Sequence, residues 1–337
     1  MEPSASAPRH RRARSVLPRR AARRGGTRRG PSRRRPALRA ALAVAAVGVV
    51  VTGGTVCVKA WAHSGAGAVS SAASPAASSS APAREEAAVE PVSEPATVNR
   101  SAALREAVRS VRLPAGAEVS AAVLDLASGD SAVCGDGAFD TASIVKVDIL
   151  AALLLRAQDA DRELTAAERA YAAKMIENSD NASATALWHT IGRAAGLDAA
   201  NERFGLTGTS GGEDGLWGLT RTTAADQLTL LRQVFGEKSQ LSPASRSYAR
   251  TLMESVESDQ RWGVSAAAPG GSTALKNGWL PRSTTGLWVV NSIGRVTVDG
   301  HAYLVAVLSR GTTSQAAGIT LVESTAKAAV SGFASGS

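Results

Sequence analysis

The chain has 337 residues and a formal net charge of +9, enough sequence for one large domain or two small ones. The positive charge is concentrated at one end, because residues 1–39 contain fourteen arginines and a single acid, Glu2. That tail carries +13, so the rest of the chain carries −4. This distribution excludes a basic nucleic-acid-binding body, and we expect no nucleic-acid partner.

The first predicted element is an apolar segment at 40–58 that directly follows the basic tail. Its nineteen residues carry no charge, and that length suits a helix spanning a bilayer. The arginines before it predict a tail in the cytoplasm and a body outside the cell membrane. Two interpretations remain open. The segment is either a single-pass membrane anchor or an export signal cleaved near 60–62, which would release a secreted protein.

Residues 59–97 consist mainly of Ala, Ser, Pro and Glu and contain almost no large apolar side chains. Such a composition cannot bury enough surface to offset the entropy of ordering the chain, so a disordered linker is predicted. The folded domain is predicted to cover 98–332.

Within this domain, the spacing of apolar residues and the turn signals predict helices and strands in a definite order. The predicted elements are a helix at 101–112 capped by Ser101, strands at 118–126 and 132–134, helices at 143–158, 165–176, 182–191 and 223–235, strands at 272–279, 286–293 and 302–309, and a helix at 314–330. Strands at both ends around a helical middle predict an α+β fold. In this fold an antiparallel five-stranded sheet is flanked by helices and joined to an all-helical subdomain.

A serine and a lysine lie three residues apart where the helix at 143–158 begins. This spacing places Ser143 and Lys146 on one helix face, so the lysine amine can lie beside the serine hydroxyl. Serine is a poor nucleophile until a neighbouring base accepts its proton, and a partly desolvated lysine is such a base. The pair therefore predicts nucleophilic catalysis, provided that other parts of the chain supply the remaining groups.

Two further motifs follow in the order that such an enzyme requires. The triplet Ser-Asp-Asn at 179–181 precedes a predicted helix, and Lys-Asn-Gly at 276–278 lies in a predicted strand. With Ser-x-x-Lys, these triplets form the three-motif signature of penicillin-recognising serine enzymes. The domain thus resembles class A β-lactamases and their low-molecular-weight D,D-peptidase relatives, and the resemblance covers the whole predicted domain.

The resemblance implies a role for each motif residue. Ser143 would be the acylated nucleophile, and Lys146 would be the base or proton shuttle. Ser179 would pass a proton to the leaving nitrogen, and Asn181 would hold the substrate amide. Lys276 would polarise Ser179 and attract the substrate carboxylate.

The third motif implies further contacts with the substrate. Gly278 belongs to the motif strand, and the backbone N–H groups of Ser143 and of Trp279 or Leu280 would form the oxyanion hole. Asn277 stands where the family has threonine or serine, so an amide would replace a hydroxyl that binds the substrate carboxylate. Arg282 is a candidate carboxylate clamp, because arginine can grip a carboxylate through two hydrogen bonds.

Among the steps of the implied reaction, release of the acyl group is the one for which the motifs provide the fewest candidate residues. The resemblance to class A enzymes implies a deacylating glutamate in a loop, and the corresponding segment, about 205–222, offers Glu213 as the possible deacylation acid. No asparagine follows Glu213 at the distance that the family pattern requires. Slow deacylation is the consequence we expect if Glu213 does not serve.

The sequence therefore predicts an exported serine hydrolase of the β-lactamase-like type, acylated by β-lactams or D-Ala-type peptides. Two alternatives remain open: a D,D-carboxypeptidase-like cell-wall enzyme, and a catalytically silent module that binds cell-wall peptides. The expected partners are a small-molecule or peptide substrate and, through 40–58, the membrane. We expect a monomer without a cofactor, and no spacing typical of metal ligands is present.

Overall fold

The computed structural model describes residues 99–336. The predicted tail, apolar segment and linker, at 1–39, 40–58 and 59–97, lie outside the described residues. Between residues 99 and 336, no helix combines the length and hydropathy that a bilayer span requires.

The described residues form eight α-helices and seven β-strands, with short 3₁₀ turns between some of them. The helices are α1 (Arg100–Arg109), α2 (Val145–Asp159), α3 (Ala166–Glu177), α4 (Asn181–Ile191), α5 (Arg193–Phe204), α6 (Ala224–Phe235), α7 (Pro243–Glu254) and α8 (Gln315–Ser335). The strands are β1 (Glu118–Asp125), β2 (Ser131–Cys134), β3 (Phe139–Asp140), β4 (Arg221–Thr222), β5 (Thr273–Pro281), β6 (Trp288–Val298) and β7 (His301–Thr312).

Five of the strands form one antiparallel sheet in the order β2-β1-β7-β6-β5. Strand β7 lies at its centre and is almost continuously buried, because helices pack against it. Helices α8 and α6 both pack against β1, β6 and β7, and α1 packs on α8. Strand β5 is an edge strand, so one of its sides is free to meet another part of the chain. The predicted α+β fold is confirmed.

Helix α2 is the centre of the helical region between β3 and β5. Nearly all of its side chains are buried, including Lys146 and Asp148, and it packs against α3, α4 and α5. A helix that is apolar on every side is typical of such a central position. Because α2 is enclosed, a polar side chain in its first turn is held in a low-dielectric environment.

The structure corrects several boundaries and adds two helices. Helix α1 is capped by Asn99, whose side chain accepts a hydrogen bond from the Ala102 N–H at 3.0 Å, and not by the predicted Ser101. Helices α5 and α7 were not expected. Helix α7 carries a recognisable start signal, since Ser242 is its N-cap and Pro243 its first residue. Strand β6 continues to Val298, well beyond the predicted end at 293.

Candidate active site

Ser143 lies in a 3₁₀ turn, Ala142–Ile144, that runs directly into α2. Its side chain is partly exposed and opens into a cleft of about 310 Å³. The cleft is lined by Ala142, Ser143, Asn181, Gly215, Leu216, Trp217, Gly218, Leu219, Trp279 and Leu280. Apart from Ser143 and Asn181, the side chains of this lining are apolar or absent.

The Lys146 amine meets the hydroxyl groups of two motifs at the base of the cleft. Its Nζ lies 3.1 Å from Ser143 Oγ and 3.0 Å from Ser179 Oγ. It also donates to the Ser179 backbone carbonyl at 2.6 Å and to Asn181 Oδ1 at 2.9 Å. Residues from the first two motifs therefore converge on one nitrogen atom.

The environment of Lys146 favours its neutral form. Burial lowers the pKa of Lys146 from 10.5 to about 7, and the nearby Asp180 carboxylate opposes the shift. An ammonium has three N–H donors, whereas Nζ has four oxygen neighbours. A neutral amine instead donates two hydrogen bonds and has a lone pair that can accept the Ser143 O–H, which is compatible with the predicted role of Lys146 as a base.

Ser179 lies between two lysines. Its Oγ lies 3.0 Å from Lys146 Nζ and 3.0 Å from Lys276 Nζ. Lys276 also donates to the Asn277 carbonyl at 2.9 Å, and burial together with the charge of Lys146 holds its pKa well below the ordinary value. The Ser179 hydroxyl is therefore within hydrogen-bond distance of both lysine amines.

Two residues of the site adopt left-handed backbone conformations. Ala142, directly before the nucleophile, has a φ of 49°, and Ser179 has a φ of 56°. Such angles are costly for residues with a side chain and persist only where the surroundings enforce them. Their position on either side of the Lys146 amine is typical of a functional site.

Asn291 on β6 is a functional candidate that the sequence analysis missed. It is fully buried, and its Nδ2 donates to the backbone carbonyls of Asp140 and Thr141, both at 2.9 Å. Its Oδ1 accepts the Ser309 N–H at 3.0 Å, so the amide is fixed at both ends. Asn291 thereby holds the segment that carries Ser143. A pairing across 150 residues leaves no local signal in the sequence.

Gly278 is a glycine because β5 presses against the nucleophile turn. A Cβ on this residue would lie 2.6 Å from the Ser143 nitrogen and 2.9 Å from the Thr141 carbonyl oxygen. The free side of edge strand β5 therefore meets the backbone of Ser143, and Trp279 follows as part of the cleft. This contact is compatible with an oxyanion hole between the turn and β5, which stays a prediction.

Three of the predicted site residues do not reach the cleft. Asn277 is fully buried and donates to the carbonyls of Gln260 at 2.7 Å and Trp262 at 3.0 Å. Side chains alternate along a strand, so Asn277 faces away from the side that Lys276 and Gly278 share. Its expected contact with a substrate carboxylate is therefore corrected.

Arg282 and Glu213 are also placed differently from expectation. Arg282 forms an ion pair with Asp140 at 3.0 Å, so part of its guanidinium is engaged within the protein, and the carboxylate clamp stays a prediction. Glu213 is exposed in a 3₁₀ turn, and the part of its loop that lines the cleft begins only at Gly215. Among the described residues, no carboxylate lines the cleft, and no group of three His, Cys, Asp or Glu side chains is placed to hold a metal ion.

Comparisons with known proteins find similar sequences and solved structures of the same fold. A family model described as the β-lactamase enzyme family matches residues 168–333, a span that includes the second and third motifs. The solved structure of PBP-A matches with a TM-score of 0.60 and 21% identity, over 70% of this chain and 97% of that protein. A class A β-lactamase from Bacteroides cellulosilyticus matches with a TM-score of 0.59 and 15% identity, over 70% and 99%.

The chain therefore has the fold of the β-lactamase-like serine enzymes, and the predicted resemblance is confirmed at the level of the fold. Among curated sequences it is similar to "Putative lipoprotein LppW" of Mycobacterium tuberculosis and of Mycobacterium bovis. The identity is 27% over 173 residues, or 49% of this chain. The match spans about half the length of these relatives, 55%.

Proposed function

We propose that the domain at 98–332 is a serine hydrolase whose Ser143 is acylated by β-lactams or by peptides ending in D-alanine. The observation that carries the proposal is the Lys146 amine, which lies 3.1 Å from Ser143 Oγ and has a pKa lowered to about 7. A lysine in this state removes the serine proton near neutral pH. The fold supports the same chemistry, because a solved PBP-A variant is described as an acyl-enzyme complex with penicillin G.

The proposed reaction gives successive roles to Ser143, Lys146, Ser179 and Lys276. Lys146 accepts the Ser143 proton while Oγ bonds to the carbonyl carbon of the substrate amide. The developing oxyanion is stabilised by backbone N–H groups of the Ser143 turn and of β5. The carbon–nitrogen bond then breaks, and the Ser179 O–H donates its proton to the leaving nitrogen. Ser179 is reprotonated from Lys146, which restores the neutral amine, and Lys276 stabilises the charge on Ser179 during the transfer.

Hydrolysis of the acyl-enzyme is proposed to be slow. Water attacks an ester fastest when a base removes its proton, and the side chains that line the cleft include no carboxylate. Glu213 is exposed outside the lining, and Lys146 is the base in contact with Ser143. This arrangement favours a long-lived acyl-enzyme, which suits a peptidase or a penicillin-binding role better than rapid β-lactam hydrolysis.

A covalent labelling experiment tests the proposal. The folded domain is incubated with a fluorescent penicillin, and the adduct is located by intact mass and peptide mapping. We expect a single adduct on Ser143, which Ser143→Ala abolishes and Lys146→Ala slows strongly. Label that persists in Ser143→Ala would remove Ser143 as the nucleophile. Nitrocefin turnover and release of D-alanine from a model peptide then separate a lactamase from a carboxypeptidase.

The alternative is a silent module that binds cell-wall peptides without turnover. The observations that favour it are the carboxylate-free lining of the cleft and the displacement of Asn277 and Arg282 into internal contacts. This alternative predicts reversible binding of D-Ala-type peptides, measurable by calorimetry, and no covalent penicillin adduct. A time-dependent adduct on Ser143 would exclude it.

The domain is further proposed to act outside the cytoplasm as a monomer. The support is the basic tail at 1–39 followed by the apolar segment at 40–58, and the mycobacterial relatives are named as lipoproteins. Fractionation of cells that express the full chain, with protease added from outside, tests the location. A chain that stays protected in intact spheroplasts would contradict export.

A further inference from the structure

One tryptophan covers the catalytic amine from the cleft side. The Lys146 Nζ lies 5.1 Å from the centroid of the Trp217 ring, within the range of a cation–π contact. Trp217 also lines the cleft together with Ser143, so its ring stands between the amine and the solvent that enters the cleft. No role for this residue followed from the motifs.

The ring is fixed by contacts with elements that carry the site. Its Nε1–H donates to Thr185 Oγ1 on α4 at 3.2 Å. The Trp217 carbonyl accepts the Thr220 N–H at 3.1 Å, and the Thr220 carbonyl accepts the Thr141 N–H at 2.8 Å. Trp217 is thus tied both to the helix that begins at Asn181 and to the strand that leads into Ser143, so the ring keeps its position relative to the amine.

The ring completes the surroundings of Lys146. Four oxygen atoms lie within hydrogen-bond distance of Nζ, from Ser143, Asn181 and, twice, Ser179, and the ring covers a further side. Two opposite effects follow from an aromatic face at this distance. It excludes water, which favours the neutral amine, and its negative face attracts the ammonium, which favours the charged form.

Exclusion of water is the stronger effect at this site. Burial is the largest influence on the pKa of Lys146 and lowers it even against the nearby Asp180 carboxylate, so the surroundings of the amine, of which the ring is a part, favour its neutral form. We propose that Trp217 is a positioning residue that shields the Lys146 amine from water and thereby keeps it free to accept the Ser143 proton. Opening this side of the amine to solvent would therefore favour the ammonium.

Other charged groups around Lys146 stay in place when Trp217 is changed. Asp180 at the start of α4 favours the ammonium, and the charge of Lys146 itself lowers the pKa of Lys276 on β5. The remaining groups on adjoining elements are the buried Asp148 on α2 and the exposed Glu213 and Asp214 in the loop of Trp217. A matched series of variants at the ring isolates the contribution of water exclusion, because none of these charges is altered.

Direct titration of Lys146 tests the proposal without any substrate. The carbon next to Nζ is followed by NMR in lysine-labelled protein, and its signal is assigned by its loss in Lys146→Arg. We expect Trp217→Ala to move the titration to higher pH and Trp217→Phe, which keeps an aromatic ring, to stay close to the wild type. Thr185→Val removes the hydrogen-bond acceptor of the Trp217 ring and should move the titration of Lys146 in the same direction as Trp217→Ala, but by less. Leu216→Ala is the control, since Leu216 is a neighbouring and largely exposed residue of the cleft.

The rate of penicillin labelling supplies a second measurement that rests on the proposed function. At a fixed pH below the pKa of Lys146, each unit by which a variant raises that pKa should lower the neutral fraction of Lys146 about tenfold. The labelling rate should fall by the same factor. A Lys146 titration that is unchanged or lowered in folded Trp217→Ala would overturn the proposal. A different result would separate the two proposals. If the NMR titrations shift as expected but neither the wild type nor any variant reacts with penicillin, the proposed acylation is overturned and the role of Trp217 stands.

Discussion

Replacing Asp148 with asparagine should stabilise the protein at neutral and alkaline pH. Asp148 is only 1% exposed, and burial raises its pKa from 3.8 to about 7. Its Oδ1 accepts a hydrogen bond from Gln227 Nε2 at 3.3 Å. Asp148 Oδ2 and Gln227 Oε1 are both buried and have no hydrogen-bond partner within the described residues. Protonation removes the buried charge of Asp148, and asparagine removes that charge permanently.

The magnitude follows from the difference between the folded and unfolded pKa values. Between pH 3.8 and about 7 the folded state retains a proton that the unfolded state has lost, so stability falls as pH rises. Roughly three pH units at 1.36 kcal/mol each give an upper bound of about 4 kcal/mol. This loss is complete above pH 7 and absent below pH 4. We therefore expect Asp148→Asn to be neutral at pH 4 and up to about 4 kcal/mol more stable at pH 8.

Urea unfolding of the folded domain at several pH values between 4 and 8 measures this difference. Comparison with the wild type at each pH cancels the titration of Lys146, which both proteins share. Asp226→Asn is the control, because Asp226 accepts hydrogen bonds from the Gly208 N–H and the Thr209 hydroxyl in the same region. That variant should be destabilised by about 1–3 kcal/mol. A difference between Asp148→Asn and the wild type that does not change with pH would refute the reasoning.

Three further results are expected. The labelling rate of the wild type should rise with pH through about 7, because Lys146 must lose its proton to act; a rate that is flat from pH 5 to 9 would contradict this. Gly278→Ala should slow labelling at least tenfold, since the new methyl group overlaps the Ser143 nitrogen, whereas Gly218→Ala, whose methyl group meets nothing closer than 4.0 Å, should label normally. Asn291→Ala should lower the free energy of unfolding, measured in urea, by about 2–4 kcal/mol, because two buried carbonyls lose their hydrogen-bond donor. A variant as stable as the wild type would show that these carbonyls do not need the Asn291 amide.

The sequence predicted the fold class and the Ser143–Lys146 pair from short-range patterns, whereas Ser179 and Asn181 followed from the motif resemblance. Helical spacing places Lys146 beside Ser143, and the order of strands and helices predicts the sheet. The displacement of Asn277 was also open to prediction, since adjacent residues of a strand face opposite sides and Lys276 occupies the side toward the site. The expected contact of Asn277 rests on the motif resemblance, which does not take this alternation of side chains into account.

Other features depend on pairings that no local pattern encodes. Arg282 is paired with Asp140, which lies far away in the sequence but adjacent in the fold. The buried amide of Asn291 meets the nucleophile segment only because β6 lies next to β5 in the sheet. The exposed position of Glu213 results from the path of a loop, and loop paths are set by tertiary contacts more than by composition.

The hydrogen bonds from Asn291 to the carbonyls of Asp140 and Thr141 have a consequence for the nascent chain. The reactive turn is shaped by a residue that is synthesised about 150 positions later, and by Gly278, which also follows it by more than a hundred. A partly made or still unfolded chain therefore has the serine and the lysine without the geometry that activates them. The proposed reactivity of Ser143 therefore requires that β5 and β6 have first joined the sheet.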